Sequence, residues 1–511
     1  MIKKYDKKIF TFIITFVFIF TTAANSLASV EEQKNDYSAP EDLKIDLWIK
    51  EIRAIDEIDK LSEPDFLLKI KIGNETFTRQ GPKNNKHIKP NWHILYDIPK
   101  NQKNIEIEID LYDQEIGRNN HCDLSKNRFK EPFKKTAKLT YHVDTGHWDG
   151  DDVLSTYASE LFDHSGYRRL NGCDDGSQYR EENDCEIIFD IIQIDQDGDG
   201  IPYQTEVNKY HTDPTVDNTG QDMDDDGIPI EWEYKWGYNP IKWENHEELD
   251  PDEDGLNNIE EYKTSQWNSN PFRQDIFLEI DTMENCLHIS NQSKELLEKA
   301  FSRQNIVLHI DDGCLGGGEI IPFKKTNDYE DLQDYYWKYF MHKKSNNWRR
   351  GVFHYALYLN KAKYNWGGEE SFIAGNAFAS TVDNKTYSVD SFQISTKTIK
   401  ENFLGLNGHY LYFSIKRRAI SFEKHEEIAY AGVTMHELGH TLGIFSRNVP
   451  GCDQQFTIFP YPGWLFYKNY KSVMNYNYVY SMVDYSDGSH GFNDHNDWGF
   501  IDLTFFQQEL S

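Results

Sequence analysis

Between residues 42 and 145 apolar and polar side chains alternate with the period of a half-buried strand. LKIDLWIKEI, FLLKIKIG, HILYDIP and NIEIEIDLYD each place an apolar residue at every second position, and polar turns separate them. NDCEIIFDI, at 183–191, has the character of a closing strand. This part is expected to form an antiparallel β-sandwich. From residue 273 the pattern changes. DIFLEID, NIVLHID and VFHYALYLN are near-continuous apolar runs, and SKELLEKAFSRQ repeats its apolar positions at helical spacing. They predict the first half of an α/β domain, with AGNAFAST (374–381) as a candidate edge strand. Ile428, Met435, Leu438 and Leu442 recur at helical spacing within IAYAGVTMHELGHTLGI (428–444). IDLTFFQQEL at the C-terminus predicts a closing helix.

The helix at 428–444 carries the chemistry. His436 and His440 lie one turn apart, so both imidazoles leave one face. Two neutral imidazoles at that spacing suit zinc, and Glu437 between them is placed to take a proton from an activated water. Gly443 is where the helix should stop, because glycine accepts the left-handed conformation. HExxH alone also occurs on ordinary surface helices. Here HExxHxxG is followed by KSVMNY at 471–476. Together these motifs resemble the metzincin metallopeptidases, over roughly residues 273–511. The resemblance implies a zinc helix closed by Gly443 and a tight turn placing Met474 beneath the metal. It also implies that Tyr476 touches the metal and swings to stabilise the oxyanion; the alternative is a core tyrosine. The family's third ligand sits where this chain has Ser446, and a serine hydroxyl is a poor zinc ligand. The chain continues IFSRNVPGCDQQ, and Pro450-Gly451 offers a turn that brings Asp453 back under the helix. Asp453 is the first candidate for the third ligand. Cys452, Tyr476, and His490 and His495 in the polar loop 484–500 are the others.

A second cation chemistry lies at 191–272. Asp195, Asp197, Asp199, Gly200 and Glu206 form DxDxDG with a glutamate at the twelfth position. Asp222, Asp224, Asp226, Gly227 and Glu233 repeat it, and so do Asp250, Asp252, Asp254, Gly255 and Glu261. Each unit would set three carboxylates around a hard cation, with a bidentate glutamate returning from the next helix. Three copies in register point to calcium. Pro202 and Pro229 would open short helices. Ile201, Ile228 and Leu256 come one place early for an EF-hand, so the units more closely resemble bacterial thrombospondin type-three repeats, which form calcium-ordered rods.

Acids also cluster between the strands of the first part: Asp59 and Asp65 at one turn, Asp113, Glu115 and Asp123 after another strand. Asp65-Phe66 before LKIKIG, and LYDQE after NIEIEI, resemble the synaptotagmin-type sandwich. That resemblance implies calcium held by these acids and presented to phospholipid. The alternative is a plain sandwich with solvated turn acids.

Composition then narrows the class. Lys3, Lys4, Lys7 and Lys8 precede an apolar run at 9–20, and Ser26-Leu27-Ala28 is a small-residue cleavage site, so residues 1–28 are expected to be a secretory signal. The remaining boundaries are 29–190 for the sandwich with its extension, 191–272 for the repeats and 273–511 for the peptidase part. A net charge of −31 excludes a nucleic-acid binder. Six cysteines in an exported chain are compatible with three disulfides, with Cys173–Cys185 as a local pair pinning 146–190. The expected protein is therefore a secreted or cell-surface, calcium-stabilised zinc metalloendopeptidase acting on protein or peptide. A non-enzymatic calcium-dependent adhesin is the competing class, although such a protein has no need of Glu437.

Overall fold

The computed structural model describes residues 43–510 apart from 60–61, 116, 118, 127–134, 153–165, 181, 367–368, 383–384, 403–421, 455–456 and 458–460. The expected signal at 1–28 lies outside the described residues. No helix among them is long and apolar enough to cross a membrane.

The alternating stretches become two antiparallel sheets. In chain order their strands are β1 (Lys44–Ala54), β2 (Phe66–Ile72), β3 (Glu75–Gln80), β4 (His87–Ile88), β5 (Trp92–Asp97), β6 (Asn104–Asp113), β7 (Asn120–Cys122), β8 (Ala137–His142), β9 (His147–Gly150), β10 (Arg169–Asn171) and β11 (Cys185–Ile194). One sheet has the order β10-β11-β1-β4, with β5 also on β1; the other has β3-β2-β6-β8-β9, with β7 on β6. Ile45, Leu47 and Ile49 of β1 meet Leu68, Ile70, Ile107 and Ile109 of the opposite sheet in one buried core. Each inward residue is flanked by an outward polar one, which is why one face of each sheet buries. β11 pairs with β1 from Lys44↔Ile194 to Ala54↔Cys185, so the last strand of this part sits inside its sheet.

Three readings are corrected here. All six cysteines are free thiols. Cys173 Sγ lies 3.3 Å from Asp184 Oδ2, whereas Cys185 on β11 faces Cys122 on β7. The sequence neighbour of Cys185 is thus not its spatial neighbour, because β7 reaches it across the sandwich. Asp123 does not join the other strand-turn acids. Asp113 pairs with Asn120 and Leu111 with Cys122, so β7 runs back along β6 and carries Asp123 away to bridge with Asp184. Finally, the repeats do not extend as a rod. Their helices bury aromatic faces: Trp232 stacks on Tyr238 at 5.7 Å and Tyr238 on Phe272 at 6.0 Å. His147 of β9 donates to the Tyr234 carbonyl at 2.8 Å, which ties the repeats to the sandwich.

The C-terminal part is built on β12 (Asp275–Met283), β13 (Val307–Asp311), β14 (Ile320–Ile321), β15 (Phe353–Leu359), the hairpin β16 (Ala362–Trp366) and β17 (Glu369–Ile373), β18 (Gly375–Val382), β19 (Lys385–Ser395) and β20 (Glu509–Leu510). The main sheet has the order β13-β12-β15-β19-β18. β12 is parallel to β13 and β15, and β19 to β15; β18 is antiparallel to β19 and ends the order. Every residue of β12 is buried. Ile276, Leu278 and Ile280 face the helices Asn291–Ser302 and Phe422–Thr441, while Phe277 and Met283 face Leu332, Tyr336 and Phe340 on the other side. Burial on both faces explains the continuous apolar runs. The expected closing helix is instead a 3₁₀ turn, Phe505–Gln507, followed by β20 on β19. β15 pairs only with Ser391–Ser395 of β19, and pairing with Thr386 and Tyr387 ahead of that stretch outcompetes the helical propensity of so short a segment.

Candidate metal centre

Helix Phe422–Thr441 delivers His436 and His440 to one buried spot, 3% and 8% exposed. Their Nδ1 atoms lie 2.8 Å from the Val473 carbonyl and 2.7 Å from the Ile444 carbonyl. A carbonyl only accepts, so Nδ1 carries a proton in each ring, and in the neutral form Nε2 is the atom with the lone pair. Both Nε2 atoms point at Asp453 Oδ1, at 3.1 Å and 3.4 Å.

The chain reaches that position by a defined path. Gly443 (φ +87°) ends the helix, and Asn448 ties the next turn by donating to the Gly443 carbonyl and accepting the Phe445 N–H. Gly451 (φ +94°) turns the chain again, and a side chain there would strike the Tyr467 ring. Asp453 takes φ +56°, a region aspartate enters more readily than most residues, and its N–H donates to the Met474 carbonyl at 3.2 Å. The segment 472–476 therefore holds one imidazole, through Val473, and the carboxylate loop, through Met474. Met474 is buried under the helix against Gly439, where an added Cβ would stand 2.7 Å from its sulfur.

Two electron-rich nitrogens and a carboxylate at these separations need a positive charge between them. A proton answers for one imidazole: burial pushes His436 down, but Asp453 and then Glu437 outweigh it and raise it to about 9. Burial acts against ionisation of Asp453 as well, yet the two imidazoles hold it far below the usual carboxylate range. A divalent cation satisfies all three ligands at once, and two His Nε2 with one carboxylate is a zinc donor set. Glu437 Oε2 and Asp453 Oδ1 are buried without a hydrogen-bond donor, which fits such an occupant.

Glu437 is buried beside edge strand β18. A Cβ at Gly375 would collide with its Oε1, and the Ala377 N–H hydrogen-bonds its carboxyl. Burial raises its pKa above the ordinary value. Tyr476 sits with its ring 5.5 Å from that of His436, and burial keeps its hydroxyl protonated well above the usual range. His490 and His495 are placed elsewhere: His490 Nδ1 lies 2.9 Å from Asp494, and His495 packs edge-on against Tyr470. Ser446 is exposed. Gly375 and Gly439 carry no signal in a single sequence, since only the packed strand and turn show why a side chain is excluded.

The three acidic loops share one conformation. Gly200, Gly227 and Gly255 have φ +83°, +98° and +92°. Each donates its N–H to the first aspartate of its loop, Asp195, Asp222 or Asp250, at 2.8–2.9 Å. Glu206, Glu233 and Glu261 return from the following helices, all at most 1% exposed. Both carboxylate oxygens of Asp197, Asp224, Glu233 and Glu261 are buried with no donor. Burial first, and then the loop aspartates, raise Glu206 to about 8. Such carboxylate-rich clusters fit a hard cation. His246 is an unforeseen neighbour, its Nε2 3.1 Å from Asp226 Oδ2 and 3.8 Å from Glu233 Oε1. In the sandwich, Asp59, Asp113 and Glu115 bring ligand atoms within 4.8 Å of one another. Asp65 stands beside them, donating its N–H to Asp113 Oδ1 at 2.8 Å. Asp123 is buried apart, and burial raises it to about 6.

No protein-family model and no curated protein matches this sequence. Among solved structures, a synaptotagmin-type domain of plant Extended Synaptotagmin 1 is similar at 15% identity, covering 16% of this chain and 63% of that one, with TM-score 0.14. Human GIVD cytosolic phospholipase A2 is similar at 16% identity, covering 30% of this chain and 17% of that one, with TM-score 0.17. The chain thus spans less than two thirds of either. At these scores neither likeness carries an argument about what the chain does.

Proposed function

We propose that the chain is an exported zinc metalloendopeptidase whose acidic loops bind calcium. The observation that carries this reading is the convergence of two imidazole Nε2 atoms and the Asp453 carboxylate, with Glu437 unpartnered beside them on Oε2. Zinc held there would supply the Lewis acidity that polarises a scissile carbonyl and acidifies a water. His436 and His440 would hold it through Nε2, their rings fixed in rotation by their Nδ1–carbonyl hydrogen bonds. Glu437 takes the proton of the attacking water on Oε2 and hands it to the leaving amine, a role suited to a carboxylate whose pKa is raised. Tyr476, neutral, donates its O–H to the oxyanion as it develops. Substrate lies extended along β18, whose start at Gly375 passes next to Glu437, so main-chain pairing positions the bond to be cut. The Asp59, Asp113 and Glu115 group supports calcium-dependent contact with a membrane or cell surface as a secondary activity.

The test is zinc content of the purified protein together with cleavage of an unstructured protein substrate. One zinc per chain is expected, with cleavage abolished by a zinc chelator and restored by zinc. Asp453→Ala should retain less metal than wild type. A protein without zinc that cleaves nothing would leave the adhesin reading in its place.

A further inference from the structure

Each acidic loop is closed by a residue well beyond its own helix. The backbone N–H of Asn218 donates to Asp199 Oδ2 at 3.3 Å, that of Glu244 to Asp226 Oδ2 at 3.2 Å, and that of Asp275 to Asp254 Oδ2 at 2.7 Å. The three closing residues follow the third loop aspartate by 19, 18 and 21 positions. All three carry a side-chain oxygen. Asn218 Oδ1 and Glu244 Oε2 are buried with no donor.

Asn218 and Glu244 belong to the repeat segment. Asp275 does not: it is the first residue of β12, the fully buried strand between β13 and β15 in the C-terminal part. Its carboxylate stands among those of Asp252, Asp254 and Glu261, and it is the largest like-charge influence on Glu261. Asp254, Glu261 and Asp275 are 2%, 1% and 3% exposed. His309 Nε2, on β13, lies 2.7 Å from Asp275 Oδ1. The other polar contact of Asp275 is the Asn270 N–H on Oδ2 at 2.9 Å, and each oxygen keeps a second lone pair. Asp250 Oδ1, Asp252 Oδ2 and both oxygens of Glu261 have no donor at all. A cation among them would offset the cost of burying so many carboxylates.

The third loop is also fastened to the C-terminal part at further points. Gln274 Nε2 donates to the Asp252 carbonyl at 2.9 Å. Gln507 Nε2 donates to the Gly255 carbonyl at 2.7 Å and to the Gly351 carbonyl at 2.6 Å, just ahead of β15. A loop that opened by charge repulsion would release the start of β12 and the C-terminal turn together.

We propose that Asp275 completes the cation site of the third loop, making it a calcium site shared with the buried strand β12 of the peptidase part, so that its occupancy braces that strand. This rests on the calcium reading of the loops. Calcium is the probe, and the full chain is the protein tested. Equilibrium calcium binding and hydrogen exchange of the β12 amides are measured on wild type, Asp275→Asn, Asp252→Asn and Asp197→Asn. Wild type should bind one calcium per loop, and calcium should slow β12 exchange. Asp275→Asn should weaken one site by roughly tenfold or more, since affinity follows ligand charge. Asp252→Asn, which leaves β12 intact, should abolish the calcium effect on β12, whereas Asp197→Asn in the first loop should preserve it. If Asp275→Asn does not fold, the contrast between the two loop variants decides. Unchanged affinity at every site in Asp275→Asn, or β12 exchange in wild type indifferent to calcium, overturns the shared site while leaving the loops as calcium sites. A wild type that binds no calcium overturns the calcium reading, and the shared site with it.

Discussion

Glu437 shows how much of a residue's role depends on what is missing opposite it. Its carboxyl fills the place where any side chain at position 375 would stand, and it receives the Ala377 N–H while one oxygen stays without a donor. Glu437→Gln keeps the shape and that N–H contact but cannot accept a proton. Peptide cleavage should fall by about 10²–10⁴-fold, the usual worth of a general base, with zinc content unchanged. Zinc content and turnover are read on one preparation. A variant that loses its metal would show that Glu437 holds the site together and does not act on water.

At the scale of the element, helix Phe422–Thr441 works because it is notched. Gly432 and Gly439 are two turns apart on one face. A Cβ at Gly432 would collide with the Val479 carbonyl oxygen, and one at Gly439 would stand 2.7 Å from the Met474 sulfur. Both notches receive the 472–482 segment, which also accepts the His436 Nδ1–H at Val473. Gly439→Ala raises helix propensity yet overpacks the turn. A net loss of about 1–3 kcal/mol is expected, with weaker zinc retention. Urea denaturation and metal content after dialysis check this. Unchanged stability and metal would mean that the turn does not depend on the notch.

For the whole molecule, the repeats join the sandwich and the sheet of the C-terminal part, so stability should respond to buried groups outside the candidate metal sites. His354, on β15, is one. Burial alone holds it down to about 3, against 6.5 for the unfolded chain. Below pH 6.5 the unfolded chain takes a proton that the folded chain refuses. The contribution of His354 to stability is therefore complete above 6.5 and shrinks as pH falls towards 3. Between pH 6.5 and 5 this amounts to about 2 kcal/mol. His354→Leu should lose correspondingly less stability than wild type on going from pH 7 to 5, as measured by urea unfolding of both. Equal losses would place the acid sensitivity elsewhere.

The sequence by itself determined what is settled within a dozen residues. Alternation sets which strand face is buried, the i and i+4 histidines share a helix face by helical geometry, and DxDxDG folds on its own backbone hydrogen bonds. Even the return of Asp453 was legible, because Pro450-Gly451 is a local turn. Tertiary structure decided what depends on segments meeting. Cys185 faces Cys122 and Asp123 leaves the acid group because of strand register, which no local window contains. The repeats pack where an extended rod was expected, because Trp232, Tyr238 and Phe272 have surface to bury against one another. Asp275 reads as an ordinary strand start until β12 and the third loop are brought together, and its 2.7 Å contact with Asp254 exists only in the folded chain.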